Sequence, residues 1–165
     1  MAQDMYLKID GIKGDSSDDK HKEEIEILSY SHGISQTASA TRSHAGGATV
    51  ERVNHQDFTI TKHVDSGTPD LNKHCCEGKH IPNIVLTLYR ASATGQDRVN
   101  YMKYELSDSI ISSVSIGGGG GDLPVETITF NYAKIVWNYM PQDQAKGTAG
   151  GNKPASWDLK LNKAS

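Results

Sequence analysis

Four residues between positions 74 and 80 are histidines or cysteines, whose side chains commonly bind metal ions. His74, Cys75 and Cys76 are consecutive, and His80 follows shortly after them. Zinc sites bring together pairs of ligands at characteristic short spacings, and this segment matches none of the standard patterns. We therefore expect no metal ion and no other cofactor.

The two cysteines, Cys75 and Cys76, are also poorly placed for a disulfide with each other. Adjacent side chains on a helix point in different directions, whereas a disulfide requires two Cβ atoms that lie close together. We expect two reduced thiols that are buried like small apolar side chains. Reduced thiols are typical of proteins that fold in the cytoplasm.

Patterns for catalysis and nucleotide binding are missing from the sequence as well. The glycine run at 117–121 is not followed by the Lys-Ser/Thr pair and helix of a phosphate-binding loop, and it predicts a flexible hairpin tip. The chain has no Gly-x-Ser-x-Gly elbow and no His-Glu-x-x-His pair. A carboxylate pair for glycoside hydrolysis stays open, although Glu23, Glu24 and Glu26 are typical of a solvated face. We predict that the protein is not an enzyme.

Length, charge and hydropathy limit the remaining classes. The 165 residues carry a net charge of −3, which predicts one domain over 1–165 and no basic surface for nucleic acid. No apolar run approaches the roughly 20 residues of a membrane span, so we expect no membrane insertion. The N-terminus has no secretory signal pattern. We expect assembly in the cytoplasm, and any secretion must use a route that reads no signal peptide.

The elements that must position these side chains are mostly strands. Residues 58–61 and 83–91 alternate between apolar and polar side chains, which is the period of a β-strand. Between them, Pro69 after a capping threonine predicts a helix start, and Gly78 predicts its end about two turns later. One short helix among many strands predicts an all-β barrel of two packed sheets, with the helix as a plug or lid.

The strand predicted for residues 24–31 changes its apolar parity along its length. Apolar residues occupy odd positions up to Ile27 and even positions from Leu28 onward. Because strand side chains alternate with a period of two, such a change predicts a bulge or a strong bend. After the change, Ser29 and Ser31 are predicted to point away from the core.

Two later segments are predicted to be long strands. Residues 99–116 should break near Ser107-Asp108, where the apolar parity changes again. Residues 125–140 are apolar on both faces, although one face of a small barrel normally meets water. The second face needs a cover, from a neighbouring subunit or from the rest of this chain. We predict a subunit interface that contains Tyr101, Tyr104, Ile135 and Trp137.

Several motifs in a fixed order resemble the haemolysin-coregulated protein (Hcp) family, whose members form the inner tube of bacterial type VI secretion. The central motifs are KHVDSGTPDL at 62–71 and GKHIP at 78–82. The opening strand at 1–9, the KGDS segment at 13–16 and the FNYAKI segment at 130–135 also fit. Each motif alone is unspecific, but their joint order and spacing over nearly the whole chain carry the resemblance.

The resemblance implies an assembly and a set of partners. Subunits of the family form a hexameric ring, rings stack into a tube, and the lumen holds effector proteins. It places Ser31, with Ser29, on the wall of the lumen. It also makes the extended loop at 35–54 a contact with a neighbouring subunit or ring, with Arg42, His44, Glu51 and Arg52 as its charged residues. Implied partners are further copies of the chain, the spike protein at the tip, the contractile sheath and the effectors.

Two other functions fit the same residues less specifically. The first is a stand-alone β-barrel that binds a ligand such as a carbohydrate and stays monomeric or dimeric. The second is a small hydrolase on a β scaffold, which would lose activity when one or two His or Glu residues are replaced. Assembly into rings, without hydrolytic activity, separates the tube subunit from both.

Overall fold

The computed structural model describes residues 4–37, 51–92, 98–142 and 151–165. These residues form eleven strands and one α-helix, as the all-β interpretation predicts. In chain order the elements are β1 (Met5–Ile9), β2 (Ile25–Glu26), β3 (Ser29–Ser31), β4 (Ile34–Ser35), β5 (Asn54–His55), β6 (Phe58–His63), α1 (Thr68–Glu77), β7 (Ile81–Ala91), β8 (Arg98–Gly117), β9 (Val125–Asn131), β10 (Lys134–Tyr139) and β11 (Lys153–Asp158).

Two antiparallel sheets share strand β8. The first sheet has the order β2-β1-β7-β8-β10-β11, and the second has the order β8-β9-β6-β3. Strands β4 and β5 form a separate two-stranded ladder. The fold is therefore the predicted pair of sheets, joined by one long strand.

Strand β8 changes partners near the predicted break. Up to Ser109 it pairs with β7, and from Ile110 onward it pairs with β9. Asp108 lies at this point with a positive φ of 50°, which a non-glycine residue seldom adopts. The strand stays continuous, but its local bend carries the chain from one sheet to the other.

The single strand predicted for residues 125–140 is two strands, β9 and β10, separated at Tyr132 and Ala133. β9 belongs to the second sheet and β10 to the first. Because the chain changes sheets, the core-facing positions change from even, as at Ile128, to odd, as at Ile135. Most of the apolar residues on both faces therefore pack on the same core. Of the two covers that the sequence left open, the rest of this chain therefore provides most of it, and the double apolar face is no evidence for a neighbouring subunit.

A change of sheet also explains the parity change near residue 27. β2 pairs with β1 in the first sheet, whereas β3 pairs with β6 in the second. Ile25 and Ile27 are buried on one side of the change, and Tyr30 packs against the core on the other. Leu28 is 48% exposed, because it lies at the crossing between the sheets and not within either strand.

Helix α1 packs one face on the barrel. Pro69 lies in its first turn, and Gly78 ends it in the left-handed conformation with φ of 61°, both as predicted. The helix is longer than two turns, and Gly67 is the N-cap in place of Thr68. Leu71 is fully buried and connects the helix to the core.

One hydrophobic core lies between the two sheets and the helix. Its side chains come from both sheets in the alternation that the strand period requires. The large apolar side chains that are fully buried include Leu7, Ile25, Phe58, Ile60, Leu71, Ile81, Ile84, Leu86, Leu88, Leu106, Ile128, Phe130 and Ile135.

Candidate functional site

The outer face of the second sheet consists of hydroxyl side chains. Strand register aligns them in two rows that each cross four strands. One row is Ser31, Thr59, Thr129 and Ser113, and the other is Ser29, Thr61, Thr127 and Ser115. We call these eight residues the hydroxyl face. The serines are exposed and the threonines are half-buried, so the rows are open to solvent.

The alternation of side chains along each strand puts the hydroxyl face on the outer side of the sheet. On β6, Thr59 and Thr61 point outward because Phe58 and Ile60 fill the core. Ser29 and Ser31 lie on the outer side, as the parity change at residue 27 predicts. The threonines across from them on β6 and β9 were not singled out from the sequence. They belong to the same surface because of how β3, β6, β9 and β8 are aligned in the sheet. A local sequence pattern does not contain this alignment.

Hydrogen bonds order the hydroxyl face at both edges, and on the β3 side the hydroxyls of Ser29 and Thr61 are hydrogen-bonded to each other. The hydroxyl of Thr129 lies 2.6 Å from the hydroxyls of both Ser112 and Ser113. Ser112 also donates to Oδ2 of Asp57 at 2.6 Å, and Asn131 donates to Oδ1 at 3.0 Å. Asp57 therefore borders the surface as a satisfied carboxylate, and the two rows themselves contain no charged side chain. A hydroxyl both donates and accepts, so the face can bind polar groups without regard to their charge.

A buried ion cluster lies on the opposite, inner side of β6 and β9. It consists of Lys62, Asp65, Thr68 and Glu126, and Lys62 and Glu126 are direct partners in the strand register. Both are completely buried, and the Lys62 ammonium forms ion pairs with Glu126 and, at 2.7 Å, with Asp65. The Thr68 hydroxyl donates to Glu126 at 2.8 Å. The cluster fixes the start of α1 against the sheet that carries the hydroxyl face.

The loop before β2 is attached next to this cluster. Ser66, at the start of α1, donates its backbone N–H and its hydroxyl to the carboxylate of Asp15. These hydrogen bonds lower the pKa of Asp15, because they stabilise its charged form. The motif at 62–71, which carries the family resemblance, is therefore a structural junction in this chain.

The predicted subunit interface needs one correction. Ile135 is completely buried within this chain, so its side chain cannot contact another subunit. Tyr101, Tyr104 and Trp137 are half-buried and pack against the core. They keep part of their surface open, and their role at an interface stays a prediction.

The predicted stacking residues fall into two groups. Arg42 and His44 lie outside the described residues. Glu51 and Arg52 are exposed, and the Arg52 guanidinium donates to the backbone oxygen of Leu159. Arg52 therefore already binds the C-terminal segment of its own chain. Contact with a neighbouring subunit stays a prediction for both Glu51 and Arg52.

Two histidines and a tyrosine form a cluster that the sequence did not indicate. Nε2 of His32 is hydrogen-bonded to the Tyr132 hydroxyl, and Nδ1 of His55 lies 2.9 Å from the same oxygen. Burial lowers the pKa of both histidines, and for His32 the nearby His55 lowers it further. Burial also raises the pKa of Tyr132. The three residues are too far apart in the chain for a motif to reveal them.

The cysteines differ from each other. Cys75 is partly buried and packs against the core, whereas Cys76 is exposed, so the prediction of two buried thiols is wrong for Cys76. Within the described residues, no group of three or more His, Cys, Asp or Glu side chains could hold a metal ion. The described part of the chain also has no helix with the length and hydropathy needed to cross a membrane.

Comparison with known proteins identifies the family. The family model "Type VI secretion system effector, Hcp" matches residues 6–139 of this chain. The chain belongs to the Hcp family. It is 40% identical over 163 residues to Protein hcp1 of Pseudomonas aeruginosa, and the alignment covers 98% of each protein.

Solved structures of the Hcp family have the same fold. One described as the structure of a type six secretion system protein superposes with a TM-score of 0.89 at 32% identity, covering 99% of this chain and 100% of the other. Hcp1 from Salmonella typhimurium superposes with a TM-score of 0.79 at 34% identity and full coverage of both chains. The resemblance based on motifs is confirmed, and the chain is an Hcp protein of the type VI secretion system.

Proposed function

We propose that this Hcp chain is a structural subunit of the type VI inner tube, in which six copies form a ring and rings stack. The main support for the proposal is that a chain of the Hcp family carries the hydroxyl face. This sheet face carries eight uncharged hydroxyls and is open to solvent in the described part of the chain, which suits the wall of a water-filled channel. A closed ring also requires contacts that repeat by rotation, while its two ends stay available for stacking.

The hydroxyl face supports a carrier role for the lumen. Charged walls would attract cargo of one sign and repel the other, whereas hydroxyls donate and accept hydrogen bonds with any polar surface. We assign Ser29 and Ser31, together with the other six residues of this face, to the lumen. Effector proteins would bind there and be stabilised during transport.

If the chain forms such a tube, the tube would have two further partners, the spike protein and the contractile sheath. The spike protein would sit on one end of the stack, and the contractile sheath would surround it. Tubes would assemble in the cytoplasm and leave the cell by propulsion, without a signal peptide. The function is mechanical, and it assigns no catalytic residue to the chain.

Oligomeric state tests the assembly. Sedimentation of the purified protein should give a species of about six subunits, and negative-stain micrographs should show rings with a central hole. A well-folded monomer at high concentration would refute the tube and favour a stand-alone binding barrel.

Labelling tests which face lines the hole. Ser31→Cys, in a chain that also carries Cys75→Ala and Cys76→Ser, would be coupled to a small gold cluster and imaged. The expected density lies inside the hole. Lys20→Cys in the same background is the control, because Lys20 is exposed on the loop before β2 and should place the gold elsewhere. Gold from Ser31→Cys on the outer surface of the ring would contradict the assignment of the face.

A further inference from the structure

The ladder of β4 and β5 continues the β3–β6 pair and is joined to it through both strands. Beyond this pair, its backbone pairs only within itself in the described residues, and Gln56 N–H closes its base by donating to the oxygen of Gly33 at 2.9 Å. His32 precedes the ladder and His55 belongs to it. Both reach Tyr132, at the junction of β9 and β10. These hydrogen bonds add a side-chain attachment of the ladder to the barrel, and that attachment depends on how the three side chains share protons.

The Tyr132 phenol can donate to one histidine and accept from the other as long as at least one imidazole is neutral. Its hydroxyl gives its one proton to the neutral ring and accepts an N–H from the other ring. When both rings are protonated, every ring nitrogen is a donor, and both rings direct an N–H at the same oxygen. Among the described residues, the hydroxyl proton then has only the backbone oxygen of Gln56, 3.5 Å away. Protonation of both rings therefore removes the hydrogen bond that the phenol donates to an imidazole.

Charge repulsion acts in the same direction. The two imidazole centroids are 6.2 Å apart, so two protonated rings would repel each other. The surrounding rings are apolar: Phe58 lies 5.5 Å from His32, and Trp137 lies 6.3 Å from each histidine. This partly buried aromatic setting offers little solvation to a cation.

Charged groups near the cluster already have hydrogen-bond partners. Asp57, whose charge acts on Tyr132, accepts from Ser112 and Asn131, and because both donors are neutral it keeps its negative charge. The groove of about 370 Å³ beside Tyr132 also contains charged and titratable side chains, namely Arg52, His80, Asp108 and Lys160. Asp108 pairs with His80 and Lys160, and Arg52 donates to Leu159. Of these carboxylates, Asp108 already faces two basic groups, and the single negative charge of Asp57 cannot balance two imidazolium charges at the ladder.

We propose that His32, His55 and Tyr132 form an acid-operated latch, which holds the β4–β5 ladder on the barrel when the imidazoles are neutral and releases it when both are protonated. The latch belongs to one subunit and does not depend on ring assembly. A weaker contact between neighbours in acid would be a consequence that rests on the proposed tube function.

Trp137 provides a direct test because it lies against both rings. In a Trp157→Phe variant, Trp137 is the one remaining tryptophan. Its emission should change as the pH falls from about 7.5 to about 4.5, with a midpoint below the about 6.5 of an ordinary histidine. Far-UV circular dichroism should stay native, and amide exchange at residues 54–56, corrected for its intrinsic pH dependence, should rise about tenfold relative to β6.

Substitutions decide between the latch and other titrations. His32→Gln with His55→Gln keeps groups that can donate to and accept from Tyr132 but cannot be protonated, so the transition should disappear. His80→Gln is the matched control, because His80 is exposed and pairs with Asp108, not with Tyr132, and this variant should show the same transition as the parent. The latch is refuted if the double variant retains the transition, if the parent shows none, or if exchange at 54–56 is independent of pH.

Discussion

Replacement of Lys62 by methionine tests the buried ion cluster. The Lys62 ammonium contacts Glu126, Asp65 and the backbone oxygen of His63, and both Lys62 and Glu126 have no solvent exposure. Lys62→Met removes the cation and leaves the fully buried carboxylate of Glu126, whose second oxygen already has no hydrogen-bond partner among the described residues. Breaking a buried pair in this way costs about 3–5 kcal/mol. That is a large share of the roughly 5–15 kcal/mol that stabilises a typical domain.

Urea unfolding would measure this loss. With a slope of about 2 kcal/mol per molar, the loss corresponds to a fall of roughly 1.5–2.5 M in the unfolding midpoint. All variants should be compared at one protein concentration, because assembly adds to apparent stability. Lys13→Met is the control, because the Lys13–Glu23 pair is exposed, and its midpoint should not change measurably.

The double variant Lys62→Met with Glu126→Leu separates the unpaired charge from the loss of packing. Removing both buried charges leaves apolar side chains of similar size, so the double variant should be more stable than Lys62→Met alone. Without the ammonium, Asp65 still accepts a hydrogen bond from the backbone N–H of Gly67 at 2.9 Å, and its side chain has some contact with solvent. Asp65 should therefore tolerate the loss of the ammonium better than Glu126 does. This reasoning would be refuted if the free energy of unfolding of Lys62→Met lay within about 1 kcal/mol of the parent value. It would also be refuted if the double variant were less stable than Lys62→Met.

Three further predictions concern the backbone and pH. A Cβ at Gly14 would lie 2.5 Å from the backbone oxygen of Glu24, so Gly14→Ala should cost about 1–3 kcal/mol in urea unfolding, whereas Gly119→Ala, in open space, should be neutral. Gly78→Ala should cost about 1 kcal/mol through its positive φ alone, and Gly78→Asn should cost less; equal costs would contradict this cause. Because burial lowers the pKa of both latch histidines, the unfolded chain binds more protons below about pH 6.5. Their contribution to the free energy of unfolding is complete above that pH and declines as the pH falls towards the folded pKa values, and it should vanish in the glutamine double variant.

The sequence by itself determined the local elements. The alternation at 58–61 identified β6 and its two faces, and the same rule placed Ser29 and Ser31 outside the core. Pro69 and Gly78 bounded α1, because their effect on the backbone is intrinsic to the residue. The family could also be identified from ordered motifs, since motif order does not require coordinates.

Tertiary structure alone decided which residues meet. Lys62 and Glu126, like the two rows of the hydroxyl face, are brought together by register between strands that are distant in the chain. The sequence could not decide what covers the double apolar face at 125–140, because a change of sheet at Tyr132 reverses the side-chain parity, and a periodic pattern cannot show which sheet a strand joins. Pairing depends on the sum of long-range contacts over the whole core, whereas propensity and periodicity report only on neighbours along the chain.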